Sequence, residues 1–179
     1  MIIGLVGRAR SGKDTVARIL GLPIVKLAKP VKDAVSILYG WSDEHIEGRL
    51  KDEVVPRFHM SPRDSMIHLT RVMKEKHGGD FFSSSFLGKW DGTPVVISDV
   101  RYMEDVETLK KATSVVLVRV VRPNCSAIPD EARIESIPVD YVIHNEGSLS
   151  DLSDITKRVK SDIVHTLLER AKKVPVVGR

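Results

Sequence analysis

Residues 7–15 read GRARSGKDT and decide how the rest of this sequence is interpreted. They follow a short apolar run, 2–6, and precede a helical pattern that carries Val16 and Leu20 on one side. The spacing of two glycines and a lysine between a strand and a helix is typical of a phosphate-binding loop. Glycines let backbone N–H groups converge on a phosphate, the helix N-terminus adds a favourable dipole, and Lys13 can bridge the β- and γ-phosphates.

The position after the lysine departs from the usual loop. It normally holds a Ser or Thr that ligates Mg²⁺, but here it holds Asp14, and the threonine follows as Thr15. Asp14 could hold Mg²⁺ through water or stabilise the helix electrostatically, while Thr15, about 100° further round the helix, could reach a phosphate oxygen. The sequence leaves these alternatives open, with Asp14 and Thr15 as the candidate metal residues.

Outward from the loop, strand patterns alternate with helical patterns over the whole chain. Apolar runs at 24–28, 94–98, 114–121 and 141–143 predict four more strands, and helices are expected near 29–39, 43–55, 61–77, 102–112 and 150–173. The alternation, without an internal repeat, predicts one α/β domain over 1–179, in three layers with a parallel sheet of about five strands. Segment 122–138, with three prolines and no periodicity, is interpreted as a mobile loop or lid instead of a packed element.

Composition excludes several classes of protein. The chain has 179 residues, 42% of them hydrophobic, and 28 Lys plus Arg against 24 Asp plus Glu give a net charge of +4. That charge is too small for a duplex nucleic-acid module and favours phosphorylated small molecules as partners. The single cysteine excludes an internal disulfide, and no apolar run is long enough to cross a membrane, so we expect a cytoplasmic protein.

Asp99 and several arginines are the candidate residues outside the loop. Asp99 follows the strand at 94–98, where an acidic residue meets Mg²⁺ or substrate in nucleotide-binding α/β folds, although it could also cap the helix that begins near Tyr102. Arg10, Arg63 and Arg101 are favoured by position as phosphate clamps. Arg122 and Arg133 depend on the interpretation of 122–138 as a lid.

Several ordered blocks carry a resemblance to a known family. They are GRARSGKDTVA at 7–17, LAKPVKDA at 27–34, SPR at 61–63, SDVR at 98–101, VVRP at 120–123 and DYVIHNEGS at 140–148. Together they resemble the phage-type deoxynucleoside monophosphate kinases of the P-loop nucleoside monophosphate kinase superfamily. The resemblance implies a P-loop kinase fold and transfer of the γ-phosphoryl group of ATP, with Mg²⁺, to a deoxynucleoside 5′-monophosphate for DNA precursor synthesis, in the host cytoplasm if the chain is phage-encoded.

The resemblance also implies roles for individual residues. ATP would contact Gly7, Arg10, Ser11, Gly12, Lys13, Asp14 and Thr15. The acceptor would contact Lys32, Arg63, Asp80, Asp99 and Arg101. The candidate catalytic residues are Lys13, Asp99 and Arg101, together with Arg122, which depends on the lid interpretation. Segment 41–90 would be a helical substrate-binding insertion and 122–138 the lid, whereas Ala9 and the stretch 132–135, which lacks a histidine, depart from relatives. Base preference, sugar preference and a possible homodimer stay open.

Two alternatives remain. The phosphomevalonate kinases of animals share the SGKD loop, a paired phenylalanine like Phe81 and Phe82, and a stretch like 98–101. A nucleotide-binding regulator without catalysis would keep the loop but would not need arginines for an acceptor phosphate. A GTPase is disfavoured because no guanine-reading Asn/Thr-Lys-x-Asp stretch follows the last strands.

Overall fold

The computed structural model describes residues 1–125 and 132–172. Its strands are β1 (Ile2–Val6), β2 (Ile24–Val25), β3 (Val95–Val100), β4 (Val115–Val121) and β5 (Tyr141–His144). Its helices are α1 (Lys13–Leu20), α2 (Lys29–Tyr39), α3 (Asp43–Ile46), α4 (Pro62–His77), α5 (Phe81–Leu87), α6 (Met103–Ala112), α7 (Ala132–Glu135) and α8 (Leu149–Lys172). A 3₁₀ turn, Arg49–Asp52, lies between α3 and α4.

The strands form one parallel sheet in the order β2-β3-β1-β4-β5. Strand β1 lies in the middle, with Ile3 opposite Val96 on one side and Val116 on the other. Its five residues are all buried, as expected for a central parallel strand covered on both faces. Because the chain turns from one side of β1 to the other, the loops at the carboxyl ends of β1, β3 and β4 meet at one edge of the sheet.

Each face of the sheet has its own core. On one face Ile3 and Leu5 pack with α1 and α8, and Leu20 of α1 is almost fully buried there. On the other face Ile2 and Val6 pack with residues of α2, α4, α5 and α6. Burial of a leucine side chain contributes about 1.5–3 kcal/mol, so both faces stabilise the sheet. The α/β class and the parallel five-stranded sheet predicted from the sequence are confirmed, and the predicted phosphate-binding loop lies between β1 and α1.

Some predicted elements differ from the observed ones. The expected helix at 43–55 is divided into α3 and the 3₁₀ turn, because Gly48 adopts an extended conformation between them. The second strand ends at Val25 instead of residue 28, since backbone turns lead directly into α2. Helix α4 begins as predicted, with Ser61 and Asp64 forming a reciprocal capping box.

The interpretation of 122–138 as unpacked is wrong for its second half. Helix α7 packs on the sheet because Ile134 and Ile137 are only 3% and 1% exposed. The Arg119 guanidinium of β4 donates to the carbonyl oxygens of Ile134 at 3.3 Å and Glu135 at 3.2 Å. Residues 126–131 of the predicted lid, and the predicted frayed end after residue 173, lie outside the described residues. No helix in the described part of the chain combines the length and apolar character that a membrane span requires.

Candidate active site

The loop between β1 and α1 requires both of its glycines. Gly7 has a φ of +156° and Gly12 a φ of +106°, and Arg10 also adopts a positive φ, of 65°. A Cβ atom on Gly7 would lie 2.5 Å from the carbonyl oxygen of Val120, and one on Gly12 would lie 2.5 Å from Nδ2 of Asn145. At these two positions the positive φ and the close approach together leave no room for a Cβ atom, so both require glycine.

Asn145 holds this loop from the end of β5. Its side-chain Nδ2 donates to the carbonyl oxygen of Ser11 at 2.8 Å, and its backbone N–H donates to Val121 at 2.7 Å. Asn145 therefore ties the loop to the carboxyl ends of β4 and β5. Asn145 lies in a block that resembles the kinase family, but its spacing along the sequence, 134 residues from Ser11, gave no sign of the contact.

The two side chains most central to the loop are polar and face inward. The Lys13 ammonium donates to the carbonyl oxygens of Gly7 at 2.7 Å and Arg8 at 2.6 Å. The Ser11 hydroxyl is buried and makes no hydrogen bond within the described residues. A buried hydroxyl without a partner is costly, so a loop of this kind is suited to a ligand that brings acceptor oxygens, as a phosphate does.

The two candidate metal residues lie on the first turn of α1. Asp14 is exposed and its carboxylate is 3.2 Å from the Lys26 ammonium. Thr15 accepts a long hydrogen bond, 3.4 Å, from the guanidinium of Arg18. Within residues 1–125 and 132–172, no group of three or more His, Cys, Asp or Glu side chains is placed to hold a metal ion. Any Mg²⁺ here would take most of its ligands from nucleotide oxygens and water.

Asp99 does not cap the helix that follows it. It lies within β3, and its two carboxylate oxygens accept the backbone N–H groups of Leu27 at 2.8 Å and Ala28 at 2.9 Å. These amides precede α2, whereas α6 begins after Tyr102 without a side-chain cap. Asp99 therefore anchors the start of the helix that carries Lys32.

One cavity opens beside the loop, and a second lies among the helices. The loop cavity, about 680 Å³, is lined by the loop residue Arg10, by residues after β4 that include Arg122, and by Asn145 and its neighbours. The helix cavity, about 520 Å³, lies among α2, α4 and α6. Arg63, at the start of α4, lines both cavities. Its guanidinium is paired with the Asp52 carboxylate, and this contact lowers the pKa of Asp52.

One region of the helix cavity is strongly cationic. It contains Lys32, Lys51, Arg63 and Arg101. Burial lowers the pKa of Lys51 to about 8, helped by the positive charges of Lys32, Arg63 and Arg101. The carboxylate of Glu47 is paired with Lys32 and lies 3.9 Å from Lys51; although burial raises its pKa, these lysines lower it overall. Lys51 was missed at the sequence level because it lies in a charged, weakly periodic segment that shows no motif.

A second polar cluster on the wall of the helix cavity was also missed. Asp105 is 3% exposed, accepts a hydrogen bond of 2.9 Å from Ser83, and lies 3.5 Å from the Lys74 ammonium. Burial raises the pKa of Asp105, against the opposing effects of Lys74 and Ser83. The Lys74 ammonium also lies 3.5 Å from the centre of the Tyr102 ring. We name this group the Lys74 cluster: Lys74, Ser83, Tyr102 and Asp105.

The structure brings most of the predicted acceptor residues together. Lys32, Arg63, Asp99 and Arg101 all line the helix cavity, as does Arg133 of α7. Asp80 does not line either of the two cavities described above. Its carboxylate instead accepts hydrogen bonds from Ser84 at 2.7 Å and Thr108 at 3.1 Å, which lower its pKa and join α5 to α6.

Comparisons with known proteins give only distant similarities. No protein-family model and no curated protein matches the chain. The shikimate kinase of Aquifex aeolicus is 17% identical, with a TM-score of 0.44 over 97% of this chain and 99% of that chain. The protein TT1252 of Thermus thermophilus is 17% identical, with a TM-score of 0.48 over 90% and 97%. The shikimate kinase of Acinetobacter baumannii is 13% identical, with a TM-score of 0.38 over 97% and 95%.

Proposed function

We propose that this chain is an ATP-dependent kinase that transfers the γ-phosphoryl group to a deoxynucleoside 5′-monophosphate and forms the diphosphate. The observation that carries the proposal is the position of Arg63, which borders both the loop cavity and the helix cavity. A guanidinium between two anion sites can neutralise the donor and acceptor phosphates together. The two substrates would thus meet beside one cation.

The loop cavity is suited to the phosphates of ATP. The buried Ser11 hydroxyl, the Lys13 ammonium and the N-terminus of α1 all lie at the loop, and Arg10 and Arg122 line the cavity beside it. These groups would bind the phosphate oxygens, and Asp14 would hold Mg²⁺ through water. Bound MgATP supplies the phosphoryl group and charge neutralisation, while the protein supplies the position.

The charge distribution of the helix cavity favours a nucleotide as acceptor. Lys32, Lys51, Arg63 and Arg101 give a cationic region suited to the phosphate dianion. The ion pairs of that region set two carboxylates, Glu47 and Asp52, against four cations, whereas two cations on the second half of α4 have one carboxylate each. The Arg71 guanidinium lies 3.9 Å from Glu75, and Lys74 lies 3.5 Å from Asp105. An acceptor with a phosphate at one end and an uncharged group at the other matches this arrangement.

The same distribution argues against phosphomevalonate as the acceptor. That molecule carries a phosphate at one end and a carboxylate at the other, so it would need net positive charge at each end. The paired cations on the second half of α4 provide less net charge for a carboxylate than the cationic region does. Deoxynucleoside monophosphates, which have only one anionic end, fit better.

The chemistry needs no strong general base. An oxygen of the acceptor phosphate is already anionic near neutral pH, so in-line transfer depends on position and on neutralisation of charge. Arg63 and Arg101 would hold the acceptor phosphate. Both carboxylate oxygens of Asp99 accept hydrogen bonds from the backbone before α2, so the role of Asp99 would be to hold Lys32 in position.

In this proposal the lid is confined to the part of 122–138 that precedes α7, because α7 itself is packed on the sheet. Helix α7 is joined to the loop through an ion pair between Arg8 and Glu135, and Arg133 lines the helix cavity. These contacts of α7 would connect the lid to both substrate sites. Closure of the lid would exclude water, which would otherwise compete as phosphoryl acceptor. Such an enzyme would work in the cytoplasm, where ATP and nucleotides are available.

The test is ADP formation from ATP and Mg²⁺ with a panel of acceptors. The panel contains dAMP, dGMP, dCMP, dTMP, their ribonucleotide forms, phosphomevalonate and shikimate. We expect turnover with one or more deoxynucleoside monophosphates and none in Lys13→Ala that retains the wild-type fold by circular dichroism. Turnover with phosphomevalonate or shikimate alone would contradict the proposed acceptor, and ATP binding without any turnover would indicate a nucleotide-binding regulator.

A further inference from the structure

Helix α4 forms a continuous wall of the helix cavity. Arg63, Met66, Thr70 and Lys74 all line it, and their spacing places them on one face of the helix. At 1.5 Å per residue, the backbone rises about 16 Å between the first and the last of them. An acceptor whose phosphate lies at Arg63 therefore extends along this face towards Lys74.

Three segments fix the ammonium of Lys74. The Asp105 carboxylate of α6 lies 3.5 Å from the ammonium, and the centre of the Tyr102 ring, just before α6, also lies 3.5 Å from it. The Ser83 hydroxyl of α5 donates to the Asp105 carboxylate at 2.9 Å. The Lys74 side chain is 14% exposed and the Asp105 side chain 5%. A lysine loses much conformational entropy when it is held in this way, so its position is set in advance of ligand binding.

The surroundings of Lys74 determine what it can bind. An ammonium has three N–H donors, and the carboxylate and the aromatic face account for two of them. The Asp105 carboxylate also compensates the positive charge of Lys74. An anionic ligand group would therefore be bound less strongly here than in the cationic region. An uncharged acceptor, such as a carbonyl oxygen or a ring nitrogen, fits the remaining donor.

We infer that Lys74 contacts the end of the acceptor remote from its phosphate and selects substrates that carry a nucleobase there, through a carbonyl oxygen or ring nitrogen. Asp105 is a positioning residue that holds Lys74 against the cavity wall. This inference rests on the proposed function, because it assumes that the helix cavity receives the acceptor. It assigns to Lys74 the distinction between a nucleotide and the same sugar phosphate without a base.

Calorimetric binding of two ligands tests the inference without turnover. The ligands are a deoxynucleoside monophosphate, taken as the tightest of the four, and deoxyribose 5-phosphate, which keeps the phosphate but has no base. We expect Lys74→Met to weaken nucleotide binding about tenfold or more, as for a lost hydrogen bond from a charged donor, and to leave deoxyribose 5-phosphate binding unchanged. Lys74→Arg should restore part of the nucleotide affinity, and Asp105→Asn should give a smaller loss of the same kind.

Lys76→Met is the matched control, because Lys76 is exposed on the same helix and does not line the helix cavity. It should bind both ligands as the wild type does. Equal weakening of both ligands in Lys74→Met would show a structural role and overturn the inference, as would a wild type that binds the nucleotide no better than deoxyribose 5-phosphate. If nucleotides bind with the predicted selectivity but are not phosphorylated, the proposed function fails while the role of Lys74 stands.

Discussion

Replacement of Asp99 by asparagine should destabilise the protein by about 2 kcal/mol. Asp99 accepts two backbone N–H groups, from Leu27 at 2.8 Å and Ala28 at 2.9 Å. An asparagine keeps one acceptor oxygen but turns an amide N–H₂ group towards the second N–H. A hydrogen bond to a charged group contributes about 1.5–3 kcal/mol, so the loss of one such bond sets the expected size. For a chain of this length, about 2 kcal/mol corresponds to a Tm decrease of roughly 4–8 °C.

Urea and thermal unfolding of Asp99→Asn measure this effect, with Asp91→Asn as the control. The Asp91 carboxylate also accepts two hydrogen bonds from one neighbour, at 2.9 and 2.8 Å, but it lies in an exposed loop. Its replacement should therefore change Tm little. In Asp99→Asn the KM for the acceptor should rise because α2 and Lys32 shift, while ATP affinity should stay close to wild type. If Asp99→Asn unfolds at the wild-type urea concentration and temperature, the anchoring role is refuted.

Further predictions concern the loop and the cationic region. Gly12→Ala should abolish ATP binding, measured by calorimetry, because the new Cβ atom would lie 2.5 Å from Nδ2 of Asn145. Gly40 also has a positive φ, but a Cβ atom there would meet nothing within 4 Å. Gly40→Ala should therefore lose only about 1–2 kcal/mol of stability and bind ATP normally. Equal ATP affinity in both variants would contradict the loop geometry. The pKa of Lys51 is lowered from 10.5 to about 8, so between these pH values the unfolded chain binds a proton that the folded chain has lost. The contribution of Lys51 to the free energy of unfolding should therefore rise with pH across this window. Urea unfolding from pH 7 to 10 should show this rise in the wild type and not in Lys51→Met. Loss of the same charge should raise the KM for the acceptor above pH 8, and a wild-type KM profile that matches that of Lys51→Met would count against Lys51 as a phosphate ligand.

The sequence predicts the sheet and the loop because their signals are local. Apolar β-branched runs and the glycine-lysine spacing of 7–13 can each be recognised within a few residues. Asp99 is also found this way, since acidic residues at strand ends are a local feature. Its hydrogen bonds are not, because Leu27 lies 72 residues earlier in the chain and only the pairing of β2 with β3 brings it near.

The residues that sequence reasoning missed depend on how the helices pack. Lys51 and Lys74 are ordinary charged residues in their own segments, and each gains its surroundings from other elements. Asp105 likewise reads as an acidic residue in the first turn of a surface helix, yet it is buried against α4 and α5. The burial of Ile134 was missed because α7 is only one turn long, which is too short to show a helical periodicity among the prolines of 122–138.

The most direct test of the central claim follows the phosphoryl group itself. Wild type and Lys13→Ala are incubated with Mg²⁺, ATP labelled at the γ-phosphate and the best deoxynucleoside monophosphate of the panel, and the products are separated by chromatography. The account predicts that the wild type places the label in the β-position of the deoxynucleoside diphosphate and that Lys13→Ala does not. Label found only in inorganic phosphate, or in the diphosphate at equal rates with both proteins, would contradict it.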